Sequence, residues 1–376
     1  MQPQPYTALT PDAVLDALDS IGLRGDGRLL ALNSYENRVY QAGMEDGPPL
    51  IAKFYRPARW TDAQILEEHA FVSTLAEREI PVVPALEING STLHLFKLDS
   101  SLHTSLPPCR GGERSDGANR MGVEPLSSKV STPSLALPLQ GGGDGEFNGF
   151  RFSVFTKHGG RAPELDNRDT LEWMGRFLGR IHAIGALEPY RHRPALDIES
   201  FGVEPSTYLL AHDFIPAELV EVYRGVVAQA LDGVRLCYDR AGEIKNIRLH
   251  GDCHVGNVLW TDAGPHFVDF DDSRMGPAIQ DLWMLLSGER AEMTRQLGDL
   301  LAGYEDFYEF DPRELHLVEA LRTLRLIHYA AWIARRWDDP AFAVAFPWFN
   351  TQRYWQDRIL ELREQIALMD EPPLMI

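Results

Sequence analysis

Apolar and polar positions alternate in "RLLALNSYENRVYQAG" and "PPLIAKFYR", which are rich in β-branched and aromatic residues and separated by the turn-like "MEDGP". The pattern predicts antiparallel strands, preceded by a short helix around Pro11 to Leu18. "WTDAQILEEHAFVSTLAERE" then carries apolar residues at helical spacing, with Thr61 or Asp62 as N-cap, and "IPVVPAL" returns to extended chain. Between about Lys97 and Phe147 the period is lost in a Gly-, Ser- and Pro-rich tract, expected to be a disordered insertion, before "GFRFSVF" resumes as a strand. Beyond it the period turns helical, and about six helices are predicted, in "DTLEWMGRFLGRIHAIGA", "PAELVEVYRGVVAQALDGV", "IQDLWMLLSG", "MTRQLGDLLAGYEDF", "LHLVEALRTLRLIHYAAWIARRW" and the terminal "RYWQDRILELREQIALM". Only "RLHGDCHVGNVLW" and "HFVDFDDSR" interrupt them as short extended pieces.

The result is an α+β chain in two lobes, a strand-rich one over residues 1–157 and a larger helical one over 158–376, with the cleft between them as the natural ligand site. Composition narrows the partners. Of the 376 residues 44% are hydrophobic, enough for a sizeable core, and 36 basic against 55 acidic residues give a net charge of −19. That balance argues against a nucleic-acid partner, which needs Lys and Arg on the phosphates. No stretch approaches the roughly 18 apolar residues of a membrane span, and no basic segment followed by an apolar run marks a signal peptide. Cys109, Cys237 and Cys253 are too few and scattered for a disulfide framework. The expectation is a cytoplasmic monomer.

The chemistry concentrates in Arg248 to Trp260. In an extended segment His250, Asp252 and His254 share one face, which permits a metal site, but no third ligand from elsewhere offers itself. Cys253 as a nucleophile lacks a base and an oxyanion hole of known geometry. Phosphoryl transfer uses the stretch better. It needs a carboxylate to orient the attacking hydroxyl, an amide oxygen for Mg²⁺ and a second carboxylate bridging metal to nucleotide phosphates. Asp252, Asn257 and Asp269 fit these roles in order, and oxygen ligands suit Mg²⁺.

"HGDCHVGN" followed by "VDFDD" resembles the signature of the aminoglycoside phosphotransferase and choline kinase-like enzymes, a branch of the protein-kinase-like fold. "LNSYENRVYQ", "KFYRP", "QILEEH" and "GPAIQDLWMLL" make the chain similar, more narrowly, to bacterial serine/threonine protein kinases of that branch, everywhere except roughly residues 97–147. The resemblance implies a bilobal protein-kinase-like fold, ATP and Mg²⁺ as cofactors, a Ser/Thr hydroxyl of a protein as acceptor, a stress-response role and autophosphorylation. Related enzymes phosphorylate aminoglycosides, choline and homoserine, so a small alcohol is the alternative acceptor, and a scaffold without turnover a third reading. Asp252 becomes the catalytic base and Asn257 and Asp269 the Mg²⁺ ligands. His250 holds the catalytic loop, and Asp281 anchors that loop from the following helix. Phe270 is followed by Asp271 where eukaryotic kinases have glycine.

There is no G-x-x-x-x-G-K-[ST] loop. In the resembling family the place of the glycine-rich loop falls on "NSYENR", where Ser34 offers its hydroxyl and the backbone from Tyr35 to Asn37 offers N–H groups to phosphates. Lys53 lies between apolar residues in mid-strand, where an unpaired ammonium costs several kcal/mol by order of magnitude, so it needs a partner. Glu68 is the residue that the family pattern assigns to it, and Phe155 to Gly160 is the adenine hinge. Simpler readings stand beside these. His254 and Cys253 are loop-orienting or packing residues, Asp271 and Asp272 a solvated or capping pair, Arg335 and Arg336 a surface ion-pair group, and the aromatics from Tyr329 to Trp355 core packing.

Overall fold

The computed structural model describes residues 6–97 and 149–376, so the expected disordered tract lies, apart from Lys97, outside the described residues. The first helix, α1 (Pro11–Asp19), starts where Thr10 Oγ1 accepts from Ala13 N at 3.2 Å and Pro11 supplies a preset φ. Strands β1 (Gly25–Leu32), β2 (Arg38–Met44) and β3 (Leu50–Phe54) follow as an antiparallel meander that pairs Val39 with Lys53. Helix α2 (Asp62–Glu77) opens with a capping box, Thr61 N donating to Gln64 Oε1 at 2.9 Å and Gln64 N to Thr61 Oγ1 at 3.3 Å. Strands β4 (His94–Phe96) and β5 (Phe150–Thr156) complete a five-stranded sheet of order β1-β2-β3-β5-β4. Its buried face packs Phe54, Phe150, Phe152 and Val154 against Val14 and Leu18 of α1.

The helical lobe carries α3 (Arg168–Gly185), α4 (Glu204–Ala211) and α5 (Ala217–Ala241), then four short strands, β6 (Ile247–Arg248), β7 (Val258–Thr261), β8 (Gly264–Phe267) and β9 (Met275–Gly276). After them come α6 (Ile279–Trp283), α7 (Arg290–Tyr304), α8 (Val318–Ala334), α9 (Pro340–Ala345) and α10 (Gln352–Asp370). Helices α3 and α7 cross closely because glycines line the seam: a Cβ on Gly175 would stand 1.9 Å from Leu300 O. The antiparallel small lobe and helical large lobe are the α+β, kinase-like architecture that the periodicity and the resemblance led one to expect.

Two details differ. Helices α4 and α9 were not expected; α9 had a start signal in Asp339-Pro340, where Asp339 Oδ1 accepts from Ala341 N at 3.1 Å. The helix expected over Ile279 to Gly288 ends at Trp283, and its first turn is capped from outside, Ile279 N donating to Glu314 Oε2 at 2.8 Å.

Candidate active site

Hairpin β7–β8 pairs Val258 with Phe267, and Val268 N donates to Asn257 O at 3.0 Å. Asn257 and Asp269 therefore stand on adjacent chains at the open end of one hairpin, a placement the tight register enforces. The preceding loop is cradled by Asp281, whose carboxylate accepts from His250 N at 2.8 Å and Gly251 N at 2.9 Å while His182 Nε2 lies 3.1 Å away. His250 Nε2 meets Val268 O at 2.9 Å, tying this loop to the next. Gly251 has φ +87°, and a Cβ there would stand 2.2 Å from Asp272 O, so only glycine fits between His250 and Asp252. Asn257 Nδ2 donates to Asp252 O at 2.9 Å. That bond turns the amide nitrogen towards the Asp252 backbone and leaves the amide oxygen as the group available to a cation.

Asp269 adopts a left-handed conformation, φ 61° and ψ 61°, rare for a residue with a Cβ and typical of strained positions at functional sites. Its Oδ1 lies 2.8 Å from Lys53 Nζ, which is also 3.2 Å from Asp271 Oδ1. Burial alone would lower the ammonium's pKa, but Asp269 and Asp271 outweigh it and hold Lys53 firmly protonated. Ser34, Lys53, Glu68, Asn257 and Asp269 all line one interlobe cleft of about 540 Å³, as do Phe155, Thr156 and His158 of the expected hinge. Its size falls in the roughly 300–1,000 Å³ range of small-molecule sites. Asp252 lies just outside that lining, fully buried, with Oδ1 accepting from Arg325 Nη1 at 2.9 Å and Oδ2 3.5 Å from His254 Nε2. Burial would raise its carboxyl pKa, yet Arg325 above all, and His254, bring it below the usual carboxylate range.

Several sequence expectations need correction. Lys53 is not paired with Glu68: among the described residues the ionic neighbours of Glu68 are Arg193 and His69, each at 3.9 Å. The reason is competition, because Asp271, standing where eukaryotic kinases have glycine, brings a second carboxylate to the ammonium. Burial pushes the Glu68 carboxyl up to about 7, against the opposing pull of Arg193 and Lys53. Asp271 and Asp272 are not a solvated pair, being 1% and 0% exposed, and Arg59 binds both, at 2.9 Å to Asp272 Oδ1. Arg336 is no surface residue either: it is 8% exposed, with Nε 2.8 Å from Glu36 Oε2. His250, Asp252 and His254 do not form a cage; among the described residues no group of three His, Cys, Asp or Glu converges on a metal position. A Mg²⁺ held by Asn257, Asp269 and phosphate oxygens needs no such cage.

The loop from Asn33 to Asn37 is fixed from the other lobe. Glu36 is buried, with Trp332 Nε1 donating to Oε2 at 2.7 Å and Arg336 Nη2 to Oε1 at 3.1 Å. Asn37 Nδ2 donates to Asp271 Oδ2 at 3.1 Å, and its Oδ1 accepts from Arg56 N at 3.1 Å. Arg193, from the segment before α4, bridges α2 to the metal-side loop, donating to Gln64 O at 2.8 Å, Asp271 O at 2.7 Å and Ser273 O at 2.9 Å. Sequence reasoning missed Glu36, Arg59, Arg193, Arg325 and Arg336. A signal existed for two of them: Arg325, Tyr329 and Trp332 recur at helical spacing on one face of α8, and Arg336 follows four residues on, just beyond the helix end.

This arrangement can be compared with known proteins. The model of the phosphotransferase enzyme family matches residues 28–115 and 126–318. The chain belongs to that family. It is 38% identical over 371 residues to stress response kinase A of Escherichia coli, covering 99% of this chain and 97% of that one. It is equally similar, 38% over the same shares, to the serine/threonine protein kinase RdoA of Salmonella typhimurium. Among solved structures it resembles amicoumacin kinase hAmiN in complex with AMP-PNP, Ca²⁺ and Ami, with a TM-score of 0.65 at 19% identity over 97% of this chain and 94% of that one, a likeness of fold. The phosphotransferase family and the kinase-like fold thus agree with the site's composition.

Proposed function

We propose that this family member is an ATP- and Mg²⁺-dependent serine/threonine protein kinase of the stress-response type, able to phosphorylate itself and acting in the cytoplasm. The observation that carries the reading is the meeting of Ser34, Lys53, Asn257 and Asp269 around one cleft, with Asp252 on the adjoining loop. Donor chemistry fits the ion, since a carboxylate and an amide oxygen are hard ligands and the Asn257 amide is oriented by its nitrogen on Asp252 O. Mg²⁺ bound there neutralises charge on the transferred phosphoryl group. Lys53 draws on the same phosphates, and Ser34 and the adjacent backbone N–H groups hold them in place.

In the reaction the acceptor oxygen forms a bond to the γ-phosphorus, and the bond from that phosphorus to the β–γ bridging oxygen breaks. Its electron pair leaves with ADP, and the hydroxyl proton passes to a carboxylate oxygen of Asp252. A pKa held below the ordinary carboxylate range makes Asp252 a weak base, which suits a loose transition state that asks chiefly for orientation of the hydroxyl. A protein acceptor is supported by the Salmonella relative's name, at 38% identity over 99% of this chain. Cytoplasmic action is supported by Cys237 and Cys253, free thiols buried in the helical lobe. No helix among the described residues is long and apolar enough to cross a membrane.

The test is incubation with labelled ATP and Mg²⁺, alone, with a generic basic protein, and with a panel of amino alcohols. Label on the chain or the protein supports the reading. Label on an amino alcohol alone moves the protein to the small-molecule kinases, and tight ATP binding without transfer makes it a scaffold.

A further inference from the structure

We propose that Arg325 is a positioning residue for phosphoryl transfer, holding Asp252 by Oδ1 and so reserving Oδ2 for the acceptor hydroxyl. The inference rests on the phosphotransfer reading above and adds a residue from a helix remote in sequence. Arg325 projects from the middle of α8, 73 positions from Asp252, and its Nη1 donates to Oδ1 at 2.9 Å. Asp252 Oδ2 makes no hydrogen bond among the described residues and has His254 Nε2 at 3.5 Å. The two carboxylate oxygens are therefore inequivalent: one is bound to a charged, nearly buried donor, and the other is left with acceptor capacity.

A buried carboxylate with no fixed partner would be free to rotate about χ2 and would present either oxygen; a guanidinium on one oxygen removes that freedom. Asp272 and Arg274, from the loop after Asp269, bind each other at 2.9 Å, and His254, whose Nδ1 accepts from Gly256 N at 2.9 Å, keeps its Nε2 3.5 Å from Oδ2, longer than an ordinary N–H···O bond. Arg325 also shares its helix with Trp332, which together with Arg336, two residues beyond the helix end, holds Glu36 of the β1–β2 loop. Helix α8 and the turn that follows it thus set both partners of the reaction, the loop beside the phosphates and the carboxylate beside the acceptor.

The experiment measures turnover of the full chain with ATP, Mg²⁺ and whichever acceptor the wild type labels, or ATP hydrolysis with water as acceptor. Arg325→Gln is expected to lower kcat on the order of 10²-fold, the scale of a misaimed catalytic group, with KM for ATP within about twofold of wild type. Arg325→Lys, which keeps a cation near Oδ1, is expected to recover most of the loss. In the Asp252→Asn background, Arg325→Gln should change kcat by less than about threefold, because the two residues act as one unit. Equal falls in kcat for Gln and Lys, additive losses in the double variant, or a rise in KM for ATP with kcat intact would each overturn the proposal and leave Arg325 a structural residue. Its fate is read from the ratio of variant to wild type. The kinase reading is judged on which acceptor the wild type labels, so the two can fail separately; a wild type inert towards protein, alcohol and water defeats both.

Discussion

On the side of the cleft proposed to hold the phosphates, the β1–β2 loop is held by a buried network drawn from several segments, Glu36 and Asn37 against Arg56, Arg336, Trp332 and Asp271, whereas on the proposed acceptor side Asp252 Oδ1 is held, among the described residues, by Arg325. The phosphate side is redundant and deeply desolvated. Removing one member there leaves another charge buried without compensation, so the cost falls first on folding. The Asp252–Arg325 pair is buried as well, its side chains 0% and 12% exposed, but it is one contact rather than a network, so its loss falls on the aim of one carboxylate, and hence on rate, as well as on folding. A glycine-rich loop would bind phosphates by bending to them; this loop has no glycine and is instead tethered by a carboxylate to the opposite lobe.

The largest effect should come from the acceptor side. Asp252→Asn is expected to reduce phosphoryl transfer by about 10²- to 10⁴-fold while ATP binding, followed by nucleotide-dependent thermal shift, stays near wild type. Normal turnover by that variant removes Asp252 from the mechanism. Next, Glu36→Ala strands Arg336 in the lobe interface, Arg56 keeping Asp339 at 3.3 Å, and should cost about 3–5 kcal/mol in denaturant unfolding. A variant as stable as wild type but slower would collapse the contrast between the two sides.

A smaller, pH-dependent effect belongs to Glu68. Its folded pKa, about 7, is raised above the ordinary 4.5, chiefly by burial against the pull of Arg193. A carboxyl raised in the folded state contributes stability that is complete below the ordinary value and lost as pH rises through about 7. Glu68→Gln removes that loss, with a ceiling of roughly 3 kcal/mol, so the variant should gain on wild type in urea unfolding between pH 5 and pH 8. Glu314, also raised to about 7, keeps a slope of the same sign in both proteins. If the difference between the two proteins does not change with pH, Glu68 is not the buried acid described. The smallest effect is Ser34→Ala, expected to raise KM for ATP about three- to tenfold, the worth of one neutral hydrogen bond, with little change in stability.

Much of the site could be read from the chain because its members are close in sequence or fixed by local pattern. Asp252 and Asn257 are five residues apart on one loop, and Asp269 follows the hairpin that Val258 and Phe267 close. Lys53 announced its need for a partner by sitting in an apolar strand, but the partner itself was misjudged. A residue-by-residue carry-over from a family cannot show that Asp271, standing where eukaryotic kinases have glycine, supplies a second carboxylate to the same ammonium. Arg336 was misread for a related reason: an Arg-Arg-Trp-Asp-Asp run looks solvated until the turn after α8 that carries it is placed against the β1–β2 loop.

Periodicity, turn chemistry and capping determined the alternation of strands and helices, the two-lobed α+β architecture and the loop that carries Asp252 and Asn257, because these depend on residues within a few positions of one another. Only the tertiary structure decided which charges are buried together. Glu36 with Arg336 and Asp252 with Arg325 are separated by 300 and 73 positions, and such pairs leave no local signature. Their energetics depend on how far both partners are removed from water, and that follows from the packing of the lobes and of α8 between them.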